Sequence, residues 1–153
     1  MAKLSLIIPC YNESQNLPLL IDRCRDLFRI DKNVQIIIVD NGSTDNTSQV
    51  LDDLTFGLNF IKKVRVTHNK GYGHGILSGL KEASGEILCW THADMQTDIC
   101  DVLEGLKIFN KESNIKDLFI KGKRRKRPLA DNIFTIGMSV FETVLFAKKN
   151  VGY

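Results

Sequence analysis

The chain should fold as an α/β domain, a Rossmann-like open and mostly parallel sheet flanked by helices. Three observations predict it. Short runs rich in Ile, Val and Leu alternate with segments of helical period. The continuous run Ile36-Ile37-Ile38-Val39 is what a strand buried on both faces requires. Clusters of unusual polar residues follow the apolar runs, where an open α/β sheet gathers its ligands.

Taken in order, residues 3–9 read as a first strand. The stripe Leu17, Leu20, Ile21, Cys24, Leu27 and Phe28 has the spacing of an amphipathic helix. Residues 34–40 form the second strand and Thr47–Leu54 the second helix. A third strand is expected over residues 61–67, a third helix over 75–83, and a fourth strand over 86–91. A fourth helix covers 99–109, with Thr97 or Asp98 placed to cap it, and a fifth strand covers 117–121. Cys89 and Trp90 lie in an apolar strand and are expected in the core. The glycines of Gly71-Tyr72-Gly73-His74-Gly75 follow the third strand. A dinucleotide fingerprint would follow the first, so they read instead as room for a helix to pack closely.

At 153 residues, 43% hydrophobic and 25% charged, the chain can bury one real core. No apolar run is long enough to cross a bilayer, and the first 30 residues lack the pattern of a secretory leader. Four cysteines without CxxC spacing read as reduced thiols of a cytoplasmic protein. The net charge of +3 is concentrated. Residues 121–127 hold six basic side chains and no acid, so the remainder stands at about −3. A local basic patch fits a phosphate-bearing partner or a membrane surface, and no nucleic-acid partner is expected. Residues 133–146 are almost wholly apolar yet too short to span a membrane. They suit a core helix, a contact with a twin subunit, or a helix lying at the membrane interface. The expected division is a core over 1–128 and an apolar helix over 129–153. The abrupt close after that helix reads as a piece of a longer protein.

The polar clusters stand at four strand ends. They are Pro9-Cys10-Tyr11-Asn12-Glu13, Asp40-Asn41-Gly42-Ser43-Thr44-Asp45, Thr67-His68-Asn69-Lys70-Gly71 and Thr91-His92-Ala93-Asp94-Met95-Gln96. Four such clusters at one sheet edge make a site.

Pro9-x-Tyr11-Asn12-Glu13, then Val39-Asp40-Asn41-Gly42-Ser43-Thr44-Asp45, Asn69-x-Gly71 and Ala93-Asp94-x-Gln96 resemble, in order, the motifs of family 2 glycosyltransferases. Their fold is called GT-A, and the dolichyl-phosphate-mannose synthase branch looks most similar. The resemblance covers essentially the whole chain. It implies that Pro9, Tyr11, Glu13, Val39 and Asn41 line a nucleotide pocket, with Asp40, His92 and Ala93 beside them. It implies that Asp94 and Gln96 hold Mg²⁺ or Mn²⁺ against a diphosphate, and that Arg124 meets donor or acceptor phosphate. Elementary chemistry agrees. A sugar diphosphate leaves readily only when its developing charge is neutralised, and hard cations prefer carboxylate and carbonyl oxygens. The planar guanidinium of Arg124 suits phosphate oxygens.

His92 departs from the family pattern, standing where an Asp is usual. A neutral imidazole can ligate Mn²⁺ or hydrogen-bond a phosphate or ribose, but it adds no negative charge. Asn41, also often Asp in relatives, keeps a carbonyl acceptor. The resemblance implies transfer of a hexose from a GDP or UDP donor to a polyprenyl phosphate, at the cytoplasmic membrane face. A phosphate acceptor is already an anion and needs no general base. Transfer to a sugar hydroxyl, and a non-catalytic nucleotide-binding remnant, stay open.

Overall fold

A computed structural model of the protein describes residues 3–111 and 118–122. The chain divides into two compact units, Met1–Ile115 and Lys116–Tyr153. The expected boundary at residue 128, the apolar stretch 133–146 and Arg124 lie outside the described residues.

The first unit carries a four-stranded sheet, all parallel, in the order β3-β2-β1-β4. The strands are β1 Leu4–Cys10, β2 Val34–Asn41, β3 Ile61–Val66 and β4 Ile87–Trp90. β1 aligns Leu4 with Val34 on one side and with Ile87 on the other, while β2 aligns Ile36 with Ile61. The chain therefore runs outward from β1 to β3 and returns to place β4 on β1's free side. That reversal puts a topological switch point beside β1, where such sheets open a crevice at the carboxyl ends.

Both central strands are buried along nearly their whole length, which is why they read as unbroken apolar runs. Their side chains part between two faces with the period of two. Leu6, Ile8, Ile36 and Ile38 join Leu17, Leu20, Ile21, Cys24 and Leu27 of α1 (Leu17–Ile30) and Leu51 of α2 (Thr47–Leu54) in the larger core cluster. Ile7, Ile37 and Val39 belong to a smaller cluster that takes in Leu80 of α3 (Tyr72–Leu80). α3 can press this close because Gly79 has no side chain. A Cβ there would stand 2.4 Å from Ile7 Cγ2 and 3.0 Å from Val39 Cγ2. After β4 a single 3₁₀ turn, Ile99–Asp101, leads into α4 (Val102–Phe109), and Asp98 caps the turn by accepting from the Cys100 backbone N–H at 2.9 Å.

Two sequence expectations fail. Residues 118–121 of the anticipated fifth strand carry no ladder, and the described sheet has four strands. A β-prone run becomes a strand only where a neighbour pairs with it. Trp90 is not core: it is 41% exposed and Leu88 50%, whereas Ile87 and Cys89 pack on the larger core cluster. β4 lies at the edge of the described sheet and buries one face, and four apolar residues look alike whether one face or two are covered. α3 also begins three residues earlier than its pattern indicates, immediately after Gly71, whose φ of 94° turns the chain into it. All four cysteines are unpaired. Burial pushes the Cys24 thiol up to about 12, and burial together with Glu13 and Asp40 pushes Cys10 up as well.

Candidate nucleotide-sugar site

The four polar clusters converge. Pro9, Cys10, Tyr11 and Glu13 from the end of β1, Asn41 from β2, Asn69 and Gly71 after β3, Tyr72 of α3, and His92, Ala93 and Asp94 after β4 line one open cleft of ≈ 260 Å³.

The loops after β1 and β2 are fastened by Asn12. Its φ of 55° is the left-handed conformation that Asn tolerates better than most residues. Its Oδ1 accepts from the backbone N–H of Thr44 at 2.8 Å and of Asp45 at 3.3 Å, and its own N–H donates to Ser43 Oγ at 3.1 Å. The Glu13 N–H donates to Thr47 Oγ1 at 2.9 Å, while Glu13 Oε2 accepts from Asn16 Nδ2 at 2.6 Å. Asp40 is turned away from solvent, 5% exposed, with Oδ1 accepting from the Ser43 N–H at 3.0 Å. It shapes the loop that carries Gly42.

Asn41, 2% exposed, donates from Nδ2 to the Gly71 carbonyl at 3.0 Å and so ties β2 to the start of α3. Its Oδ1 is buried without a partner among the described residues. An unsatisfied buried carbonyl is uncommon, and this one lies in the cleft wall. Val39 lies on the same strand face but under α3, packed against Gly79, and does not line the cleft.

On the far side Tyr72 and His92 stack, centroids 4.6 Å apart and planes 2° from parallel. The Tyr72 hydroxyl donates to the Thr91 carbonyl at 3.3 Å. Burial, and then the nearby Asp94 carboxylate, raise the Tyr72 phenol above its ordinary range, so it stays a neutral donor. Asp94 Oδ1 accepts from the Gln96 N–H at 3.0 Å across Met95, whose φ is 57°. The second carboxylate oxygen of Asp94 has no such bond among those described, and Gln96 is exposed and does not line the cleft. These oxygens are of the kind a hard cation takes, but they are few. Among the described residues no three His, Cys, Asp or Glu side chains gather into a metal site. Asp94 and Gln96 alone would fit a divalent cation only if further oxygens came from a ligand or water.

Sequence reasoning assigned no role to Cys10, Asn12, Asn69 or Tyr72. Asn12 and Asn69 were visible within the quoted motifs. Asn69 Oδ1 accepts from the Gly71 N–H at 2.7 Å, which shapes the turn into α3. Tyr72 gave no signal, because nothing local says that it meets His92 twenty residues on.

The chain is 30% identical over 96 residues to undecaprenyl-phosphate 4-deoxy-4-formamido-L-arabinose transferase of Proteus mirabilis. It is 34% identical over 99 residues to the same enzyme of Yersinia enterocolitica. Each match takes in 61% of this chain but 29% of the relative's length. Among solved structures, a mannosyltransferase from Pyrobaculum calidifontis in complex with GDP-Man and Mn²⁺ superposes with a TM-score of 0.63 at 23% identity, over 72% of this chain and 33% of that one. TarS of S. aureus in complex with UDP-GlcNAc gives 0.60 at 19% identity, over 78% and 37%. The fold is thus the GT-A arrangement. The model of glycosyl transferase family 2 matches residues 5–134, most of the chain, and the protein belongs to that family.

Proposed function

We propose that this chain is the donor-binding part of a glycosyltransferase that moves a hexose from a nucleoside-diphosphate sugar to a polyprenyl phosphate. One observation carries the reading: four strand-end clusters meet in a single cleft with the Asp94 carboxylate among its lining residues. The names of the relatives, which are undecaprenyl-phosphate transferases, and of neighbours bound to GDP-Man with Mn²⁺ or to UDP-GlcNAc, support donor and acceptor class.

In this reading Tyr11, Glu13 and Asn41 contact the nucleoside, Pro9 shapes the turn beneath it, and Ala93 closes the floor. Asp40 and Val39 act through the backbone they hold, and His92 forms part of the wall. Asp94, with the Gln96 carbonyl, would hold Mg²⁺ or Mn²⁺, which neutralises the diphosphate as it departs. An oxygen of the acceptor phosphate attacks the anomeric carbon, the bond from that carbon to the diphosphate breaks, and the nucleoside diphosphate leaves with the electron pair. The attacking oxygen is already anionic, so no side chain need take a proton. Arg124 would meet phosphate. The basic stretch 121–127 and the apolar stretch 133–146 would bring the chain to the cytoplasmic lipid surface. No described helix is long and apolar enough to cross a membrane.

The test is transfer of labelled hexose from GDP-mannose and UDP-glucose, with Mn²⁺, to undecaprenyl phosphate in vesicles or to a soluble oligosaccharide. Label entering the lipid phase with matching release of nucleoside diphosphate is the expected result. Label on the soluble acceptor alone would overturn the phosphate acceptor. Donor binding without turnover on either would overturn transfer by this chain.

A further inference from the structure

Apart from glycine, Asn12 and Met95 are the two described residues with a positive φ, and each lies next to a residue that lines the cleft. Such a conformation persists where the surrounding bonds hold it, and it gathers at functional sites. Asn12 does not line the cleft, but Tyr11 and Glu13 on either side of it do. Its side chain reaches across to the loop after β2. Oδ1 receives the Thr44 and Asp45 N–H groups, and Nδ2 donates to Thr44 Oγ1 at 3.2 Å. The Asn12 N–H bond to Ser43 and the Glu13 N–H bond to Thr47 extend the same seam. The loop thus gripped leaves β2 at Asn41, which lines the cleft. Asn12 is exposed. Water competes for its bonds, so they add little to the stability of the fold. What they fix is the position of one loop against the other.

We propose that Asn12 is a positioning residue for the nucleotide. From outside the cleft it braces the loop after β1 against the loop after β2, and so sets Tyr11 and Glu13 against Asn41. This rests on the donor-binding reading above. The left-handed conformation turns the chain, and the side-chain acceptor holds that turn against two backbone N–H groups. Glycine keeps the turn and loses the acceptor, whereas aspartate keeps both.

The experiment is calorimetric titration of the full chain with UDP and GDP in Mg²⁺, well below the melting temperature. Asn12→Gly should bind nucleotide roughly tenfold more weakly while its melting temperature stays within a few degrees of wild type. Asn12→Asp should recover most of that affinity. In a Glu13→Ala background, Asn12→Gly should cost less than it does alone, because part of what Asn12 positions is then gone. Gly57→Ala, in open space on another loop, is the control for stability alone and should bind as wild type does. Wild-type affinity in Asn12→Gly would overturn the proposal. So would an Asn12→Asp as weak as Asn12→Gly, an undiminished loss in the Glu13→Ala background, or an equal loss in Gly57→Ala. In each of those outcomes the donor-binding reading stands. If wild type binds neither nucleotide, that reading fails and takes the role of Asn12 with it.

Discussion

Asp94→Ala should remove the metal-dependent part of nucleotide binding while sparing the rest. Charge stabilisation of this kind is worth several kcal/mol, and about 1.4 kcal/mol is tenfold, so the affinity gained on adding Mn²⁺ should fall by roughly 100-fold or more. Asp94 has a second task, because its Oδ1 accepts from the Gln96 N–H and closes the turn that holds Met95 in its left-handed conformation. Asp94→Asn keeps that acceptor and loses the charge. Both variants should lose the Mn²⁺ effect in a calorimetric titration with UDP and GDP, and only Asp94→Ala should also loosen the loop. A full Mn²⁺ gain retained by Asp94→Asn would show that the carboxylate does not hold the cation.

Gly42→Ala should damage fold and site together. Gly42 has a φ of 73°, and a Cβ there would stand 2.5 Å from the Asn69 nitrogen and 2.7 Å from the His68 carbonyl carbon. Both are backbone atoms, so no side chain can swing aside. The left-handed conformation alone costs about 1–2 kcal/mol, and displacement of the loop after β3 should bring the total to about 3–5 kcal/mol. For a unit of this size that lowers the melting temperature by roughly 10 °C or more. Because Asn69 fixes the turn at Gly71, nucleotide affinity should fall as well. Gly57→Ala is the control. Gly57 has a similar φ of 76° but open space around its Cβ, so it should show only the conformational cost of about 1–2 kcal/mol. Equal losses at the two positions would mean that the approach of the two loops is not what Gly42 serves.

The residues that the sequence placed correctly are those whose environment is periodic. β1 and β2 are buried on both faces, and the stripe of α1 faces one core, so period alone locates them. β4 has the same composition but an edge position, and no local signal separates the two; Trp90 was therefore expected inside. Residues 118–121 have strand composition without a strand, because pairing is a property of neighbours. Glu13, Asn41, Asn69 and Asp94, which line the cleft, all stand in the strand-end clusters that the sequence displays. Contacts between clusters are not legible there. The bonds from Asn12 to Thr44 and Asp45, from Asn41 to Gly71, and the stack of Tyr72 on His92 each join segments about 20 to 30 residues apart. Val39 shows the converse. It shares a strand face with Asn41, and both lie under α3, Val39 against Gly79 and Asn41 against Gly75, but only Asn41 also borders the cleft.

The four strand ends should act as one nucleoside-diphosphate site. A backbone amide shift titration of the full chain with UDP and with GDP in Mg²⁺ tests it most directly. With at least one of the two, the largest shifts should fall together on Tyr11–Glu13, Asn41–Asp45, Asn69–Tyr72 and His92–Gln96, and should saturate along a single curve. Saturable shifts centred instead on the groove between Ile30 and Leu106, or no saturable shifts at the four strand ends with either nucleotide, would contradict it.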